Sequence, residues 1–254
     1  MDFKEIYNSQ KDRVLTGFAM LAVAIVFALI DNLFVTWVVL GVAYMLAFYE
    51  AMKLFGVEDN SLFVYALVVW GIALFYPNPD DLIYIILIIS LAIMAHKKEV
   101  DFKTLAPFFY PSISMLFILS LYKDFGMGVL IWLVVVVALT DTAAYFVGKS
   151  IGKTPFSPTS PNKTWEGCAG GIVAATVAGT FLGLVYVNFF LAFFISLAVS
   201  ASSIWGDLFE SYLKREAGVK DSGNIFPGHG GVLDRLDGYM FGAVIMVILL
   251  RGLA

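Results

Sequence analysis

Long apolar runs separated by short polar breaks fill most of this sequence. The runs cover about 14–30, 33–52, 62–76, 82–95, 105–122, 127–148, 168–187, 189–213 and 232–252. Most approach the roughly 20 residues that a helix needs to cross a bilayer. The pattern predicts an all-α, polytopic integral membrane protein with about nine transmembrane helices, and eight or ten are the alternatives because the breaks at Asp31-Asn32 and Val187-Asn188 are weak.

Composition supports this class of protein. Of the 254 residues, 60% are hydrophobic and 14% are charged, whereas a typical soluble domain has about 25% charged residues. Cys168 is the only cysteine, which excludes an internal disulfide framework and a multi-cysteine metal site. Charged residues precede the first run and no small-residue cleavage site follows it. We therefore expect residues 1–13 to form a short amphipathic cytoplasmic segment and the first run to be a retained span.

Lysine and arginine are distributed unevenly between the two sides that the runs define. With a cytoplasmic N-terminus, all but two of the 16 Lys and Arg residues fall in inner segments, and the exceptions are Lys123 and Arg251. Cytoplasmic segments of membrane proteins carry such an excess. The pattern predicts a cytoplasmic N-terminus, an outer C-terminus and a multi-pass protein of the cell's inner or plasma membrane.

The chain shows no repeat of fixed period and no separate soluble domain, so we expect one transmembrane domain over residues 1–254. The runs within residues 1–126 carry few polar groups and are interpreted mainly as scaffold. Residues 127–254 contain the charged motifs and are expected to form the catalytic helices and cytoplasmic loops. Two loops rich in Gly, Pro, Ser and Lys, residues 149–167 and 216–231, fall on the cytoplasmic side.

Four aspartates are expected at a similar depth near the cytoplasmic face. Asp207 lies near the inner end of the eighth run, Asp234 and Asp237 stand three residues apart at the start of the ninth, and Asp141 precedes the end of the sixth by about two turns. Charge beside apolar runs is costly and by default indicates function. Carboxylates at one depth also repel one another unless a cation neutralises them, and Mg²⁺ prefers such oxygen ligands.

Basic residues and glycines accompany these carboxylates. Lys214, Arg215, Lys220 and Arg235 are suited to bind phosphate oxygens, so the set predicts a nucleotide or other polyphosphate substrate. Gly228, Gly230 and Gly231 flank His229 and favour a tight turn or a close approach to a ligand. His229 is interpreted as a substrate or phosphate contact, with a structural hydrogen-bond donor as the alternative. Solvated helix ends joined by surface salt bridges are the general alternative for these charges.

The loop at residues 149–167 carries a second, weaker signal. Lys163 and the N–H groups at the start of the seventh run are candidates to bind an anion. Glu166 and, in the other loop, Asp221 are read either as ligands or as residues that hold their loops in place. This stretch does not match a P-loop, so it indicates an anion-binding site only in combination with the second loop.

The segment from Ser211 to Asp237 resembles the signature of the phosphatidate cytidylyltransferases, the CDP-diacylglycerol synthases. It reads S-Y-L-K-R, four residues, K-D-S-G-N-I-F-P-G-H-G-G, and then D-R-L-D, without departure from the family pattern. The stretches from Asp141 to Lys149 and from Ser160 to Gly167 are similar to that family as well. The resemblance extends over the whole chain, although the N-terminal half matches only in character.

The resemblance implies the reaction of CTP with phosphatidic acid to give CDP-diacylglycerol and pyrophosphate, dependent on Mg²⁺ with K⁺ as a possible second metal. It implies that Asp207 and Asp234 are the metal ligands. Lys214, Arg215 and Arg235 would then join them in catalysis by neutralising phosphate charge. Substrate binding is expected of the following residues: Ser160, Lys163, Thr164, Lys220, His229, Asp141 and Asp237.

Two other functions are consistent with the residues. The enzyme could act with CTP on another lipid phosphate, such as an ether lipid or a polyprenyl phosphate, because the sequence does not distinguish the chains. A transporter is a remote alternative. Transporters are expected to carry charge at the bilayer midplane in two repeated halves, whereas the charges here cluster near one face and the sequence shows no repeat. The expected partners are CTP, phosphatidic acid and the bilayer, with no nucleic acid, and a homodimer is plausible.

Overall fold

The computed structural model describes residues 17–19, 22–98, 102–226, 228 and 230–253. The expected amphipathic segment, residues 1–13, lies outside them. The helices are α1 (Leu33–Phe55), α2 (Ser61–Phe75), α3 (Leu82–Lys97), α4 (Phe102–Pro107), α5 (Ile113–Ile151), α6 (Trp165–Gly183), α7 (Phe189–Glu216) and α8 (Leu233–Leu253). Residues 22–30 are helical too. A 3₁₀ turn, Pro79–Asp81, precedes α3, and a π-helical turn, Phe108–Ser112, joins α4 to α5.

Six helical stretches in the described residues are long and apolar enough to cross a membrane. They are Leu33–Phe55, Pro79–His96, Phe102–Ile151, Trp165–Gly183, Phe189–Glu216 and Leu233–Leu253. The helix Ser61–Phe75 is apolar but shorter. The chain is therefore an all-α, multi-pass membrane protein, as the hydrophobic pattern predicts.

The predicted divisions between runs correspond to specific local chemistry. At the first weak break, the side chain of Asn32 accepts hydrogen bonds from the backbone N–H groups of Phe34 and Val35 and so caps the start of α1. The runs 105–122 and 127–148 meet without a loop, because the backbone departs from helical geometry only at Gly126 (φ 79°, ψ 179°).

The predicted ends of two other runs differ from the observed helices. The seventh run begins earlier, at Trp165, because Thr164 caps the helix, and it ends earlier, at Gly183. The eighth run continues to Glu216, so that Lys214 and Arg215 lie in its last helical turn. The loop at residues 149–167 also contains a β-hairpin that the sequence did not predict.

The hairpin consists of β1 (Pro155–Ser157) and β2 (Ser160–Thr164), which pair antiparallel with a bulge. Phe156 of β1 packs edge-on against Trp165, with ring centroids 4.7 Å apart, and against Trp205 of α7 at 5.7 Å. The hairpin is therefore held by aromatic contacts to the start of α6 and to α7.

The chain divides into two compact units. The first contains Met1–Ser112 and Ala217–Arg235, and the second contains Ile113–Glu216 and Leu236–Ala254. The loop that follows α7 therefore belongs with the N-terminal helices. In the first unit Tyr44 and Phe48 of α1 are fully buried among aromatic rings. The Tyr44 and Ser112 hydroxyls are hydrogen-bonded at 2.6 Å.

The second unit is built on close packing of α5, α6 and α7. A Cβ atom at Gly171 of α6 would lie 2.6 Å from the carbonyl oxygen of Thr140, so only glycine permits this approach. Small residues play this role widely between membrane helices. Buried hydroxyls join the helices as well: Trp132 Nε1 donates to Ser196 Oγ at 3.1 Å, and Thr140 and Ser200 are hydrogen-bonded at 2.7 Å.

Candidate active site

A cavity of about 480 Å³ lies within the second unit. It is formed by the C-terminal half of α5, by β2, by the first turn of α6 and by the middle of α7. Its lining includes four of the residues that the sequence singles out: Asp141, Lys163, Thr164 and Asp207. Tyr145, Lys149 and Asn162 add further polar groups, and Cys168 lines the wall as well. The cavity thus combines both signs of charge with hydroxyl and amide groups.

Lys163 and Asp207 form an ion pair across this cavity. The Lys163 Nζ lies 2.5 Å from Asp207 Oδ2, and the side chains are 23% and 30% exposed. Ser211, one helical turn further along α7, donates its hydroxyl to Asp207 Oδ1 at 3.3 Å. The aspartate is therefore held by a cation and a hydroxyl, yet the pair remains accessible from the cavity.

The start of α6 positions Lys163 and Thr164. Thr164 Oγ1 accepts a hydrogen bond from the Gly167 N–H at 3.1 Å and so caps the helix. The expectation of free N–H groups for an anion at this helix start is thus wrong for Gly167, whose N–H already has a partner. Gly167 is required by packing, since a Cβ atom there would lie 2.7 Å from the Ala144 carbonyl oxygen.

Glu166 holds its loop in place. Its Oε2 accepts hydrogen bonds from the backbone N–H groups of Lys153 and Thr154, both at 3.2 Å, and its Oε1 accepts one from the Thr154 hydroxyl at 2.9 Å. Of the two interpretations from sequence, the structure supports a loop-fixing residue. The contacts tie the chain that leaves α5 to the first turn of α6.

The contact between α7 and α8 carries a second group of charges in the same unit. Glu210 is fully buried, and its Oε2 lies 3.4 Å from the Nζ of Lys214. Asp237, on α8, accepts the Gly238 N–H at 2.7 Å through its Oδ1. Gly206 allows α7 to approach the Asp237 carbonyl, which a Cβ atom would strike. Glu210, which the sequence analysis did not single out, is the most deeply buried carboxylate of this group.

Asp234 lies in the first unit, at the start of α8. Its Oδ2 accepts three hydrogen bonds: from the Ser222 N–H and hydroxyl, both at 2.8 Å, and from the Gly231 N–H at 2.7 Å. Gly230 is in the left-handed region (φ 82°) and a Cβ atom there would meet the Asp234 carboxylate. The positive φ angles of Gly228 and Gly230 fit the predicted tight turn, whereas the close approach at Gly230 is to Asp234 of the same chain and not to a ligand.

The carboxylate of Glu50 is the residue that sequence reasoning missed. It lies in α1, within the part interpreted as scaffold, and is 2% exposed. Its oxygens accept hydrogen bonds from the N–H groups of Val232 and Leu233, and its Oε2 shares the single proton of the Ser222 hydroxyl with Asp234. A glutamate at the end of an apolar run was itself a signal, because burying an ionised group requires compensating partners.

The remaining predicted residues are distributed as follows. Ser160 begins β2 and does not line the cavity, and Arg215 is exposed on the last turn of α7. Lys220 and Arg235 belong to the first unit, where both are exposed. His229 lies outside the residues that the structure describes. The structure thus brings together Asp141, Lys163, Thr164 and Asp207 around the cavity, whereas Lys214 pairs with Glu210 on α7 and Asp237 lies in α8.

Whether a metal ion fits this protein depends on the donor atoms that the described side chains offer. Across residues 17–19, 22–98, 102–226, 228 and 230–253, no group of three or more His, Cys, Asp or Glu side chains is arranged to hold a metal ion. Asp207 and Asp234 nevertheless offer the hard oxygen atoms that suit Mg²⁺. That ion commonly uses one or two carboxylates and completes its shell with water and substrate phosphates. Each of these two carboxylates, considered by itself, suits Mg²⁺ in that mode rather than a protein-only cage.

Comparison with known proteins gives a consistent result. Residues 11–253 match the model of the Cytidylyltransferase family. The chain is 44% identical over 244 residues to a phosphatidate cytidylyltransferase of Helicobacter pylori (strain ATCC 700392 / 26695), covering 95% of this chain and 92% of that protein. It is 34% identical over 228 residues to the phosphatidate cytidylyltransferase of Thermotoga maritima, covering 82% and 84%. This chain belongs to the cytidylyltransferase family.

Proposed function

We propose that this chain is a phosphatidate cytidylyltransferase, which transfers CMP from CTP to phosphatidic acid and releases pyrophosphate. The observation that carries the site assignment is the cavity in the second unit, where Lys163 and Asp207 form an accessible ion pair. A cation that faces an accessible cavity can bind phosphate oxygens, and an aspartate beside it can bind a metal ion.

The reaction needs little proton transfer. An oxygen of the phosphatidic acid phosphate attacks the α-phosphorus of CTP, a new P–O bond forms, and the bond to the bridging β-phosphate oxygen breaks, so that pyrophosphate leaves with the electron pair. The attacking phosphate is already ionised near neutral pH, and the main barrier is repulsion between two anions. Preorganised positive charge is the effective remedy. Lys163 is assigned to phosphate binding at the cavity, with Thr164 and Asp141 beside it.

Asp207 and Asp234 are the proposed ligands of Mg²⁺, with K⁺ as a candidate second ion. When bound, Mg²⁺ would neutralise phosphate charge and orient the phosphates for in-line displacement. Lys214, Arg215, Lys220, Arg235 and His229 are assigned to further contacts with phosphates, and Asp237 and Ser160 to ordering the substrates. Each assignment is a proposal about one side chain and is tested by its own substitution.

The membrane arrangement belongs to the same proposal. We assign nine spans, a cytoplasmic N-terminus and a site at the cytoplasmic face of the inner or plasma membrane, supported by the distribution of Lys and Arg. CTP would then arrive from the cytoplasm and the lipid from the bilayer. Residues 1–254 would act as one domain, with catalysis mainly in residues 127–254, and possible assembly as a homodimer.

The direct test is turnover of labelled CTP by the purified protein in detergent. With phosphatidic acid and Mg²⁺ we expect a CDP-lipid and pyrophosphate, and with either omitted we expect neither. Product with a polyprenyl or ether-lipid phosphate, but none with phosphatidic acid, would reassign the lipid substrate. No product with any lipid phosphate, in folded protein that also fails to bind CTP, would refute the proposal.

A further inference from the structure

Glu50 of α1 lies against the loop that presents Asp234, although the two residues are separated by 184 positions in the chain. Glu50, Ser222 and Asp234 are each buried, with exposed fractions of 2%, 7% and 9%. The Ser222 hydroxyl lies 3.0 Å from Glu50 Oε2 and 2.8 Å from Asp234 Oδ2. One serine therefore connects the two carboxylates directly.

The backbone contacts of Glu50 concern the residues immediately before Asp234. Oε1 accepts the Val232 N–H at 3.0 Å, and Oε2 accepts the Leu233 N–H at 2.8 Å. These N–H groups belong to the start of α8, where a helix has no internal acceptors for its first N–H groups. A glutamate from another helix thus acts as their acceptor and holds the entrance to α8.

The glycines of the loop are explained by the same carboxylate. A Cβ atom at Gly223 or at Gly231 would strike the Glu50 carboxylate group. Both positions approach Glu50 so closely that no side chain fits between them. The backbone of the loop therefore fits closely around the Glu50 carboxylate. A residue that served only general packing would not require two glycines beside it.

We propose that Glu50 is a positioning residue for Asp234: it fixes the start of α8 and Ser222, and these in turn orient the Asp234 carboxylate. Glu50 itself does not touch substrate. The inference rests on the proposed function only for what Asp234 does, because the contacts among Glu50, Ser222 and Asp234 are independent of it.

The decisive variant is Glu50→Gln. The Val232 and Leu233 N–H groups meet different oxygens of Glu50, and a glutamine would place an NH₂ group at one of these two positions, so one of the hydrogen bonds is lost. Hydrogen bonds to charged groups are among the stronger ones in proteins, and losing one should increase local opening by about tenfold or more. The matched control is Tyr44→Phe, which removes a buried hydrogen bond of the same helix that does not touch the loop.

Two measurements are made on each variant. Hydrogen–deuterium exchange, read by mass spectrometry on peptides that cover residues 221–234, should be about tenfold faster in Glu50→Gln and unchanged in Tyr44→Phe. The Mg²⁺ concentration that gives half-maximal turnover should rise by about tenfold in Glu50→Gln. A folding defect alone would lower the maximal rate through the amount of active enzyme and leave the Mg²⁺ midpoint unchanged.

Ser222→Ala provides the second variant, since it removes the connecting hydroxyl with a smaller change in structure. It should shift the Mg²⁺ midpoint in the same direction, even if Glu50→Gln does not fold. Unchanged exchange and an unchanged midpoint in either folded variant would overturn the inference. Asp234→Asn separates the two proposals: normal turnover in this variant would refute the metal role of Asp234, while an inactive Asp234→Asn beside a normal Glu50→Gln would refute only the positioning role.

Discussion

Replacing Lys163 by alanine separates a structural role of this lysine from a role in binding substrate. In the structure Lys163 has a single ion-pair partner among the described contacts, Asp207, at 2.5 Å. It also lines the cavity that we assign to phosphate binding. Lys163→Ala removes both the ion pair and the proposed phosphate contact. The two losses differ in size: the first lowers the free energy of unfolding, and the second lowers kcat/KM.

The structural contribution is small. The two side chains are 23% and 30% exposed, and ion pairs that are accessible to solvent contribute about 0.2–1 kcal/mol to stability. We therefore expect the free energy of unfolding to fall by no more than about 1 kcal/mol. A charge-assisted hydrogen bond to a phosphate is stronger, at about 1.5–3 kcal/mol. Its loss should lower kcat/KM by about 10- to 150-fold.

The assay measures initial rates on monodisperse protein with CTP varied at saturating phosphatidic acid, and then the reverse. Lys163→Ala should raise KM for the substrate whose phosphate it binds, and Lys163→Arg, which keeps the charge, should recover part of the loss. Lys153→Ala is the matched control, because Lys153 is an exposed lysine of the same loop whose backbone N–H, rather than its side chain, contacts Glu166.

The reasoning would be refuted by a specific pattern. If Lys163→Ala lowers only the yield of folded protein, while kcat and both KM values per folded molecule match the wild type, then Lys163 does not bind substrate. Its place in the cavity would then serve only the contact with Asp207. An equal loss in Lys153→Ala would also refute it, since the effect would then reflect the charge of the whole loop.

Three further predictions concern single positions. Asp207→Asn and Asp234→Asn should each lower turnover by at least about 100- to 1000-fold if they bind Mg²⁺; near-normal rates at saturating Mg²⁺ would contradict the two-carboxylate site. Gly167→Ala should destabilise the protein by about 1–3 kcal/mol, because the added Cβ would lie 2.7 Å from the Ala144 carbonyl oxygen; thermal unfolding compared with Gly252→Ala, where nothing lies within 4 Å, measures this. Glu166→Ala removes three hydrogen bonds and should speed proteolysis within residues 152–164, and an unchanged cleavage rate would exclude the loop-fixing role.

Much of the fold follows from the hydrophobic pattern, because a helix that faces lipid must be apolar over its whole length. The pattern could not reveal how the runs meet. Lys123 and Asp124 interrupt two apolar runs and look like a loop in sequence, yet both are helical. Arg251 of α8 contacts Asp124, with its Nε and one terminal nitrogen at 2.8 and 2.7 Å from Oδ2. The partner that makes a charge tolerable there is 127 residues away in the chain.

Individual residues of the candidate site could be predicted where a short sequence motif indicates their chemistry. Lys163, Thr164 and Asp207 were selected from two separate motifs, and the structure places all three at one cavity. The capping role of Thr164 was missed, although threonine is among the residues preferred as the N-cap of a helix. The Thr164 hydroxyl oxygen and an anion would compete as acceptors for the same Gly167 N–H, so the sequence alone could not show which hydrogen bond forms.

Glu50 shows why motif reasoning finds only half of such a site. A motif records the residues that lie together in sequence, and here it records the glycines but not the carboxylate that makes them necessary. From sequence alone, Gly223 and Gly231 indicate either a flexible segment or a turn, and neither interpretation requires another side chain beside them. In the structure a buried glutamate from another helix lies against both glycines. A substitution of either glycine should therefore act through Glu50, so that Gly231→Ala and Glu50→Gln are expected to be strongly non-additive in their effect on the Mg²⁺ midpoint. Additive effects would mean that the glycine serves the turn alone.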